Sequence, residues 1–251
     1  GVTSTSKTLI NASVLGLIFE KINGYKDGSF FTPGFITDYM ARDVLERTVV
    51  QKFNEKKSWK CENLEDVSDK IEDISEANEI VDDIRVADVA VGSGHFLVSA
   101  LNRLLAIKSE LNILCDAEGK RIKRRDLILK VDNDELSVVD DEGEPFEYKP
   151  GNEESQRYQE AKKNKKRRII ENCLFGVDLN PNSVNICRLR LWIELLKNAY
   201  YTKESGYKQL QTLPNIDINI KVGDSLLSKY PVQNGRLIAD YLTRDERADR
   251  K

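Results

Sequence analysis

The chain has 251 residues, of which 40% are hydrophobic and 32% charged, and its formal net charge is −3. This composition is typical of a soluble globular protein, and it argues against a chain that coats nucleic acid along its whole surface. No apolar run approaches the roughly 18 residues of a membrane span, and no signal-peptide pattern begins the chain, so we expect no membrane association. Because the first residue is Gly1 and not Met, we expect a piece of something longer.

The first 80 residues predict an N-terminal helical region. Leu9, Val14, Leu17 and Ile18 are spaced for one apolar helix face, which ends at the stop signal Asn23-Gly24. After a glycine- and proline-containing loop, a second helix is predicted from about residue 35. Its apolar positions are Ile36, Tyr39, Met40, Val44, Leu45 and Val49. The charged residues 54–80 predict helix or loop.

Residues 81–251 predict the larger part of the fold, an incomplete α/β core. Strands at 84–91, 173–178 and 216–223 alternate with a helix predicted from His95 to Leu114 and a helix through residues 184–196. Between the first two strands, residues 115–170 predict an insertion of one or two β-hairpins followed by a charged helix. The order of strand, helix, strand, helix and strand indicates a doubly wound, Rossmann-like α/β sheet with a helical N-terminal extension and a β-hairpin insertion.

The strongest motif is the stretch DVAVGSGHFL at residues 88–97, which joins the first strand to a helix. Gly92 and Gly94 allow a sharp turn and a close approach of the backbone to a ligand. Asp88 can accept hydrogen bonds from a ligand or from the loop's own amides. A Gly-x-Gly loop occurs in many nucleotide-binding folds. Leu97 takes the third glycine position of the dinucleotide fingerprint, which disfavours a nicotinamide or flavin enzyme.

Two further aspartates follow the later strands. Asp178 ends the second strand, where a carboxylate can accept hydrogen bonds from both ribose hydroxyls, and Leu179 offers an apolar surface to an adenine ring. The alternative is that Asp178 and Asn180 cap the following helix. Asp224 ends the third strand, where it either accepts from an adenine amino group or serves as a turn residue. All three motifs would line the crevice in which open α/β sheets bind ligands.

These motifs resemble those of the amino-group DNA methyltransferases. DVAVGSGHFL is similar to the family's cofactor loop, DPACGSG or DPAVGSG, with Val89 in place of the proline. Phe31, Thr32 and Pro33 ahead of a helix resemble the family's Thr-Pro loop, which closes over the methionine end of the cofactor. FGVDLNP at 175–181 resembles its ribose motif, and GDSL at 223–226 its adenine motif. This order is that of the gamma-type adenine methyltransferases, which include fused restriction–modification enzymes.

The resemblance implies an S-adenosylmethionine site and transfer of the methyl group to the exocyclic nitrogen of a flipped adenine in double-stranded DNA. The residues that would bind the cofactor are Phe31, Thr32, Pro33, Asp88, Ala90, Gly92, Gly94, His95, Phe96, Asp178, Leu179, Asp224 and Ser225. His95 would hydrogen-bond near the cofactor's carboxylate or cap the helix, and we favour such a supporting role over acid–base catalysis.

The family's catalytic signature, Asn-Pro-Pro-Tyr/Phe, does not occur in this sequence. The pair Asn180-Pro181 belongs to the ribose motif and is followed by Asn182. We therefore assign no catalytic residue and expect this chain to bind cofactor without methylating DNA by itself. Incorporation of labelled methyl into DNA by this chain alone would contradict that expectation.

Three other functions remain open. The first is a nucleotide-dependent oxidoreductase on the same sheet, and the second a methyltransferase that acts on protein or RNA. The third is a DNA-binding or assembly module that uses the basic clusters at residues 120–125 and 162–168, for which a solvated helix or hairpin face is the simpler interpretation.

The four cysteines form no Cys-x-x-Cys pair and His95 is the only histidine, so we expect no metal site and a reducing, cytoplasmic location.

Overall fold

The computed structural model describes residues 32–122, 127–132, 135–139, 142–211, 218–226, 232–233 and 236–237. The helices are α1 (Gly34–Lys57), α2 (Leu64–Lys70), α3 (Ile74–Asp82), α4 (His95–Glu110), α5 (Glu153–Asn172) and α6 (Pro181–Leu196), with a 3-10 turn at Lys203–Ser205. The strands are β1 (Val86–Asp88), β2 (Ile128–Asp132), β3 (Glu135–Val139), β4 (Leu174–Asp178), β5 (Ile220–Val222), β6 (Val232–Gln233) and β7 (Arg236–Leu237). The helix predicted before Asn23 and the loop residue Phe31 lie outside the described residues.

The three core strands form a parallel sheet in the order β1-β4-β5. Asp88 of β1 pairs with Gly176 of β4, and Asp178 of β4 pairs with Val222 of β5. The predicted mixed α/β class with a parallel sheet is therefore confirmed. These strands follow one another across the sheet in chain order, so the further strands of a doubly wound arrangement remain a prediction. The first strand is shorter than predicted, because the chain leaves the sheet after Asp88 to form the glycine turn.

Helix α4 is the centre of the core. Nearly all of its residues are buried, and it contacts α1, α5 and the hairpin strand β2 as well as the sheet. Helix α1 packs against it with one face, which consists of Thr37, Ala41, Leu45, Val49 and Phe53. Because α4 begins directly after the glycine turn, this packing fixes the direction in which the turn leaves the sheet.

The insertion contains a hairpin and a long helix. Strands β2 and β3 pair antiparallel from Ile128 opposite Val139, which confirms one predicted hairpin. The run PFEYK at 145–149 is not a strand and makes only a bridge between Pro145 and Val139. Helix α5 begins at its cap Asn152, whose side chain accepts from the Ser155 amide. The predicted charged helix is thus present.

The four lysines of α5 are buried, so for them the interpretation of residues 162–168 as a solvated face is wrong, whereas Arg168 in the same cluster is exposed. Lys166 and Glu194 of α6 are each 2% exposed and form an ion pair of 2.9 Å. Lys162 Nζ lies 3.9 Å from the centre of the Phe146 ring, and Lys165 Nζ donates to Asn78 over 3.3 Å. Long lysine stems fill space between α4 and α6 while their ends meet polar or aromatic partners. A DNA surface made of these lysines is equally incompatible with this packing.

Burial of Lys162 should make stability depend on pH. Desolvation, with the neighbouring Lys166 charge, lowers the pKa of Lys162 from 10.5 to about 7. At Lys162 the unfolded chain therefore binds more protons than the folded one between about pH 7 and 10, so this group makes the free energy of unfolding rise with pH in that window. Burial raises the pKa of Cys173 and Cys187 to about 12, which acts in the opposite direction above about pH 8, but equally in wild type and variant. We expect Lys162→Met to raise stability at pH 7 and to reduce this slope. Urea unfolding at pH 7, 8 and 9 measures both.

The matched control is Lys60→Met, since Lys60 is exposed. The control should keep the wild-type slope. Measurements above about pH 9.5 are left out, because burial raises the pKa of Tyr200 to about 12 and ionisation of the unfolded tyrosine then favours unfolding. An unchanged slope in Lys162→Met would contradict the prediction.

Candidate functional site at the carboxyl edge of the sheet

Three loops leave the parallel sheet at its carboxyl edge. The amide of Val91, in the loop after β1, donates to the Val177 carbonyl over 2.9 Å, and the amide of Gly223, after β5, donates to the Asp178 carbonyl over 3.0 Å. The carboxyl end of β4 therefore lies between the loops that follow β1 and β5 and is bonded to both. The predicted meeting of the three motifs is present in the structure.

The glycine loop turns sharply in front of α4. Gly92 and Gly94 have φ angles of +52° and +84°, in the left-handed region that favours glycine. The Gly94 amide donates to the Val91 carbonyl over 2.8 Å and closes the turn. A Cβ atom on Gly94 would lie 2.5 Å from Cys187 Sγ of α6, so this position needs glycine for space as well as for conformation. Gly92, by contrast, faces open space.

Asp178 joins the glycine loop to its own loop. One carboxylate oxygen accepts from the Gly92 amide and the other from the Asn180 amide, each over 2.8 Å. The cap of α6 is Asn180, whose side chain accepts from the Asn182 amide over 2.9 Å. Asp178 therefore does not cap the helix, although Asn180 does. The carboxylate holds the two loops in register at the edge where a ligand would bind.

Asp88 adds a second carboxylate at this edge. Its Oδ1 accepts from the Ala90 amide over 3.1 Å. Burial raises the pKa of Asp88, and the negative charge of Asp178 raises it further despite the opposing hydrogen bond. The edge is thus acidic, and a positively charged ligand would be favoured there.

A buried arginine holds the backbone that follows Gly92. Arg190 of α6 donates from Nη1 to the Ser93 carbonyl over 3.1 Å, and its Nη2 lies 3.2 Å from His95 Nδ1. Because a guanidinium can only donate, His95 Nδ1 is the acceptor and the imidazole proton is on Nε2. His95 is buried at the first position of α4, so it contributes to the shape of the loop.

The remaining predicted residues differ in exposure. Leu179 is 71% exposed beside Asp178, as an apolar surface for a ring requires. Ala90, Asp224 and Ser225 are exposed, and Asp224 Oδ1 accepts from the Leu226 amide over 2.9 Å, which is a turn contact. Phe96 is half-buried against the core.

The Thr-Pro segment is connected to the glycine loop through helix packing. The Pro33 carbonyl accepts from the Ile36 amide over 2.9 Å at the start of α1, and Thr32 is exposed just before it. One turn on, Thr37 Oγ1 lies 2.9 Å from Ser99 Oγ of α4. Helix α1 follows the Thr-Pro segment and α4 follows the glycine loop, so the packing of the two helices connects the two segments that the sequence assigned to the cofactor.

Apart from this edge, a cleft of about 500 Å³ lies among α1, α2 and α3, where Trp59 stacks on Phe53 with ring centres 5.9 Å apart. It includes none of the predicted site residues.

Within the described ranges, His, Cys, Asp and Glu side chains form no group of three or more suited to a metal ion. Over the same ranges, the helices are too short or too polar to cross a bilayer.

The chain is similar to a protein of Methanocaldococcus jannaschii described as a "putative type II restriction enzyme and methyltransferase". The two are 31% identical over 253 aligned positions, which cover 93% of this chain and 18% of that protein. The similarity confirms the predicted resemblance to a restriction–modification methyltransferase. This chain thus spans about a fifth of the relative's length. No family model and no solved structure matches the chain.

The sequence motifs left out one residue that the geometry brings to the glycine loop, Arg190. A signal for it was present in the spacing, because Cys187, Arg190, Leu191 and Glu194 recur at i, i+3, i+4 and i+7 and are all buried. A charged residue on the apolar face of a predicted helix is a buried charge with a specific partner. The partner could not be identified, since Ser93 lies 97 positions away.

Proposed function

We propose that this chain is the S-adenosylmethionine-binding part of a DNA adenine-N6 methyltransferase from a restriction–modification system. The observation that carries the proposal is the bond between Asp178 and the Gly92 amide, which unites the glycine loop and the acidic strand end in one crevice. Similarity to a protein described as a restriction enzyme and methyltransferase supports it.

The charge of the crevice favours this cofactor over a dinucleotide. Asp88 and Asp178 both lie at the carboxyl edge, and each raises the electrostatic cost of a further negative charge. S-adenosylmethionine carries a sulfonium and an ammonium group, which such a crevice attracts. A dinucleotide would bring an anionic pyrophosphate to the same glycine loop, beside Asp88. The acidic edge therefore supports a methyltransferase against an oxidoreductase.

Each residue of the crevice has a distinct role in this proposal. Asp178 would accept the ribose hydroxyls while it keeps the glycine loop in place, and the exposed Leu179 would cover one face of the adenine ring. Asp224 would accept from the adenine amino group. The glycine loop would bring backbone amides close to the ligand, and Arg190 and His95 would hold that loop in shape. When bound, the cofactor supplies the methyl group.

The acceptor, an adenine in double-stranded DNA, is the second half of the proposal. The Asn-Pro-Pro-Tyr/Phe tetrapeptide that orients the adenine in the resembled family is not among these 251 residues. The proposal therefore assigns to this chain the cofactor's side of the reaction, and binding of DNA to the whole protein. Methylation of adenine by the whole protein, followed with labelled cofactor, tests that half separately.

Calorimetric titration tests the cofactor half. Asp178→Ala should weaken S-adenosylmethionine binding about 10- to 100-fold, because a charged hydrogen-bond acceptor is lost and the Gly92 amide is released. Asp83→Ala is the matched control, since Asp83 precedes β1 at the other end of the strand and pairs only on the surface with Lys52 and Arg85. The control should bind as the wild type does. Wild-type protein that binds NADH and not S-adenosylmethionine would overturn the proposal.

A further inference from the structure

Two hydroxyl side chains lie between the first turns of α1 and α4. Thr37 and Ser99 are 2% and 0% exposed, and their Oγ atoms are 2.9 Å apart. The next positions along the inner face of α1, Ala41 and Leu45, are apolar and equally buried. A polar pair in such a helix contact is costly to bury unless its hydrogen bonds are made. Its hydrogen bonds therefore show what the pair does.

Each hydroxyl has an acceptor in its own helix. Thr37 Oγ1 lies 2.9 Å from the Gly34 carbonyl oxygen, and Ser99 Oγ lies 3.1 Å from the His95 carbonyl oxygen. Bonds of this kind to the preceding turn satisfy threonine and serine side chains within helices. The contact between the two hydroxyls is therefore not needed to satisfy either of them. What it adds is a fixed alignment of the two helix starts.

The protons of the pair can be distributed in two favourable ways. Each hydroxyl has one proton to donate, so the three contacts share two protons. Either Ser99 donates to Thr37 and Thr37 to Gly34, or Thr37 donates to Ser99 and Ser99 to His95. If each proton stayed within its own helix, two oxygen atoms would face each other at 2.9 Å with no proton between them, which is repulsive. Both favourable arrangements thus keep one bond between the helices.

The pair is connected at both ends to segments of the candidate site. His95, whose carbonyl oxygen takes part in the pair's contacts, also contacts Arg190 through its imidazole. Arg190 in turn donates to the Ser93 carbonyl of the glycine loop. At the other end, Gly34 directly follows Pro33. Because buried polar networks favour one arrangement of the groups that they join, this one should hold the Thr-Pro segment in register with the glycine loop.

We infer that Thr37 and Ser99 are positioning residues, which set the place of Thr32 and Pro33 relative to the glycine loop and so control ligand affinity. Both hydroxyls are too deeply buried to contact a ligand themselves. The inference rests on the proposed function, because only a ligand that contacts both segments responds to their alignment. In that function the ends of β4 and β5 hold the adenosine part of the cofactor, so the methionine part is the one that the two segments share.

Calorimetric titration of the 251-residue chain with S-adenosylmethionine tests the inference. Thr37→Val keeps the shape of the side chain and removes its hydroxyl, and Ser99 can then donate to the His95 carbonyl. We therefore expect the Tm to fall by only a few degrees, whereas the Kd rises about 3- to 10-fold, as for the loss of one hydrogen bond. Thr37→Ser restores the hydroxyl and should recover most of the affinity.

Thr48→Val is the matched control in the same helix. Thr48 Oγ1 donates to the Val44 carbonyl over 2.7 Å, which is the same kind of bond to the preceding turn, but it is exposed to solvent. The control should keep the wild-type Kd. Wild-type affinity in Thr37→Val, equal weakening in both valine variants, or no recovery in Thr37→Ser would overturn the inference alone. Wild-type protein that does not bind S-adenosylmethionine would overturn the proposed function, and the inference with it.

A double-mutant cycle tests whether the two hydroxyls act as one unit. Ser99→Ala leaves Thr37 able to donate to the Gly34 carbonyl, so this variant should raise the Kd by about the same factor as Thr37→Val. The double variant should bind no more weakly than either single one, because residues that share one contact are not additive. Effects that multiply would show that the two side chains act separately and would contradict the inference.

Hydrogen exchange provides a readout of the coupling itself. Saturation with S-adenosylmethionine should slow exchange of the backbone amides of residues 34–40 in the wild type, because the ligand stabilises the start of α1 through the pair. The same residues of saturated Thr37→Val should be protected less. Exchange that the ligand leaves unchanged in the wild type would show that the start of α1 is not coupled to the site.

Discussion

Gly94→Ala should destabilise the protein by about 2–5 kcal/mol and abolish ligand binding at the carboxyl edge of the sheet. The new Cβ would lie 2.5 Å from Cys187 Sγ and 3.2 Å from Cys187 Cβ, and the φ angle of +84° is strained for any residue with a side chain. Either α6 moves away from the loop or the turn opens. Both changes separate the glycine loop from Asp178. Urea unfolding and calorimetric titration with S-adenosylmethionine measure the two losses.

Gly119→Ala separates the two causes. Gly119 has a similar φ angle of +79°, but a Cβ atom there meets nothing within 4 Å. It should therefore show conformational strain alone, about 1–2 kcal/mol, with ligand binding intact. Adding Cys187→Ala to Gly94→Ala removes the closest atom and should restore part of the stability. Equal losses in Gly94→Ala and Gly119→Ala would show that the contact with Cys187 has no role.

Arg190→Met should cost about 2–4 kcal/mol and weaken ligand binding at least tenfold. Arg190 is fully buried, and its loss leaves the Ser93 carbonyl and His95 Nδ1 without this donor. Ser93 belongs to the glycine loop and His95 is the first residue of α4. Loss of Arg190 should therefore change the shape of the carboxyl edge as well as lower the stability of the protein. Arg190→Lys keeps the charge but not the two-pronged geometry, and should recover stability in part.

The control for Arg190 is Lys166→Met. Lys166 is as deeply buried, but its partner Glu194 retains Lys197 at 2.6 Å, and neither contacts the glycine loop in the described bonds. Lys166→Met should lower the Tm and leave the affinity of the folded protein unchanged. If affinity falls in proportion to Tm in both Arg190→Met and Lys166→Met, Arg190 only stabilises the fold and does not position the glycine loop.

Features that depend on neighbouring residues were predictable from the sequence. The glycine turn follows from Gly92 and Gly94, the cap of α6 from Asn180-Pro181, and the strand ends from short apolar runs before Asp88 and Asp178. Parallel strands end at one edge, so the meeting of these motifs followed without coordinates. Similarity to a described methyltransferase agrees with the family that the motifs indicated.

Features that depend on distant residues were not predictable. Helix α5 is rich in lysine, which composition alone places at the surface, yet Glu194 and Asn78 lie where its lysines can be buried. Arg190 acquires its role only because the glycine loop, about 95 positions earlier, lies beside α6. For Arg190 the spacing indicated burial but not the partner, and for the lysines of α5 neither was indicated, because the fold brings in the partners from distant parts of the chain.

The pairing of β1 with β4 has a consequence for how the protein folds. Val86 and Leu174 are adjacent in the sheet but 88 positions apart in the chain, so their pairing closes a long loop at a high cost in chain entropy. The hairpin and α5 fill that loop and pack on α4, which shortens the effective length of chain to be closed. Non-local pairs of this kind form slowly and late. We therefore expect the insertion to assemble first and the carboxyl edge of the sheet to be completed last, on inserted elements that are already packed.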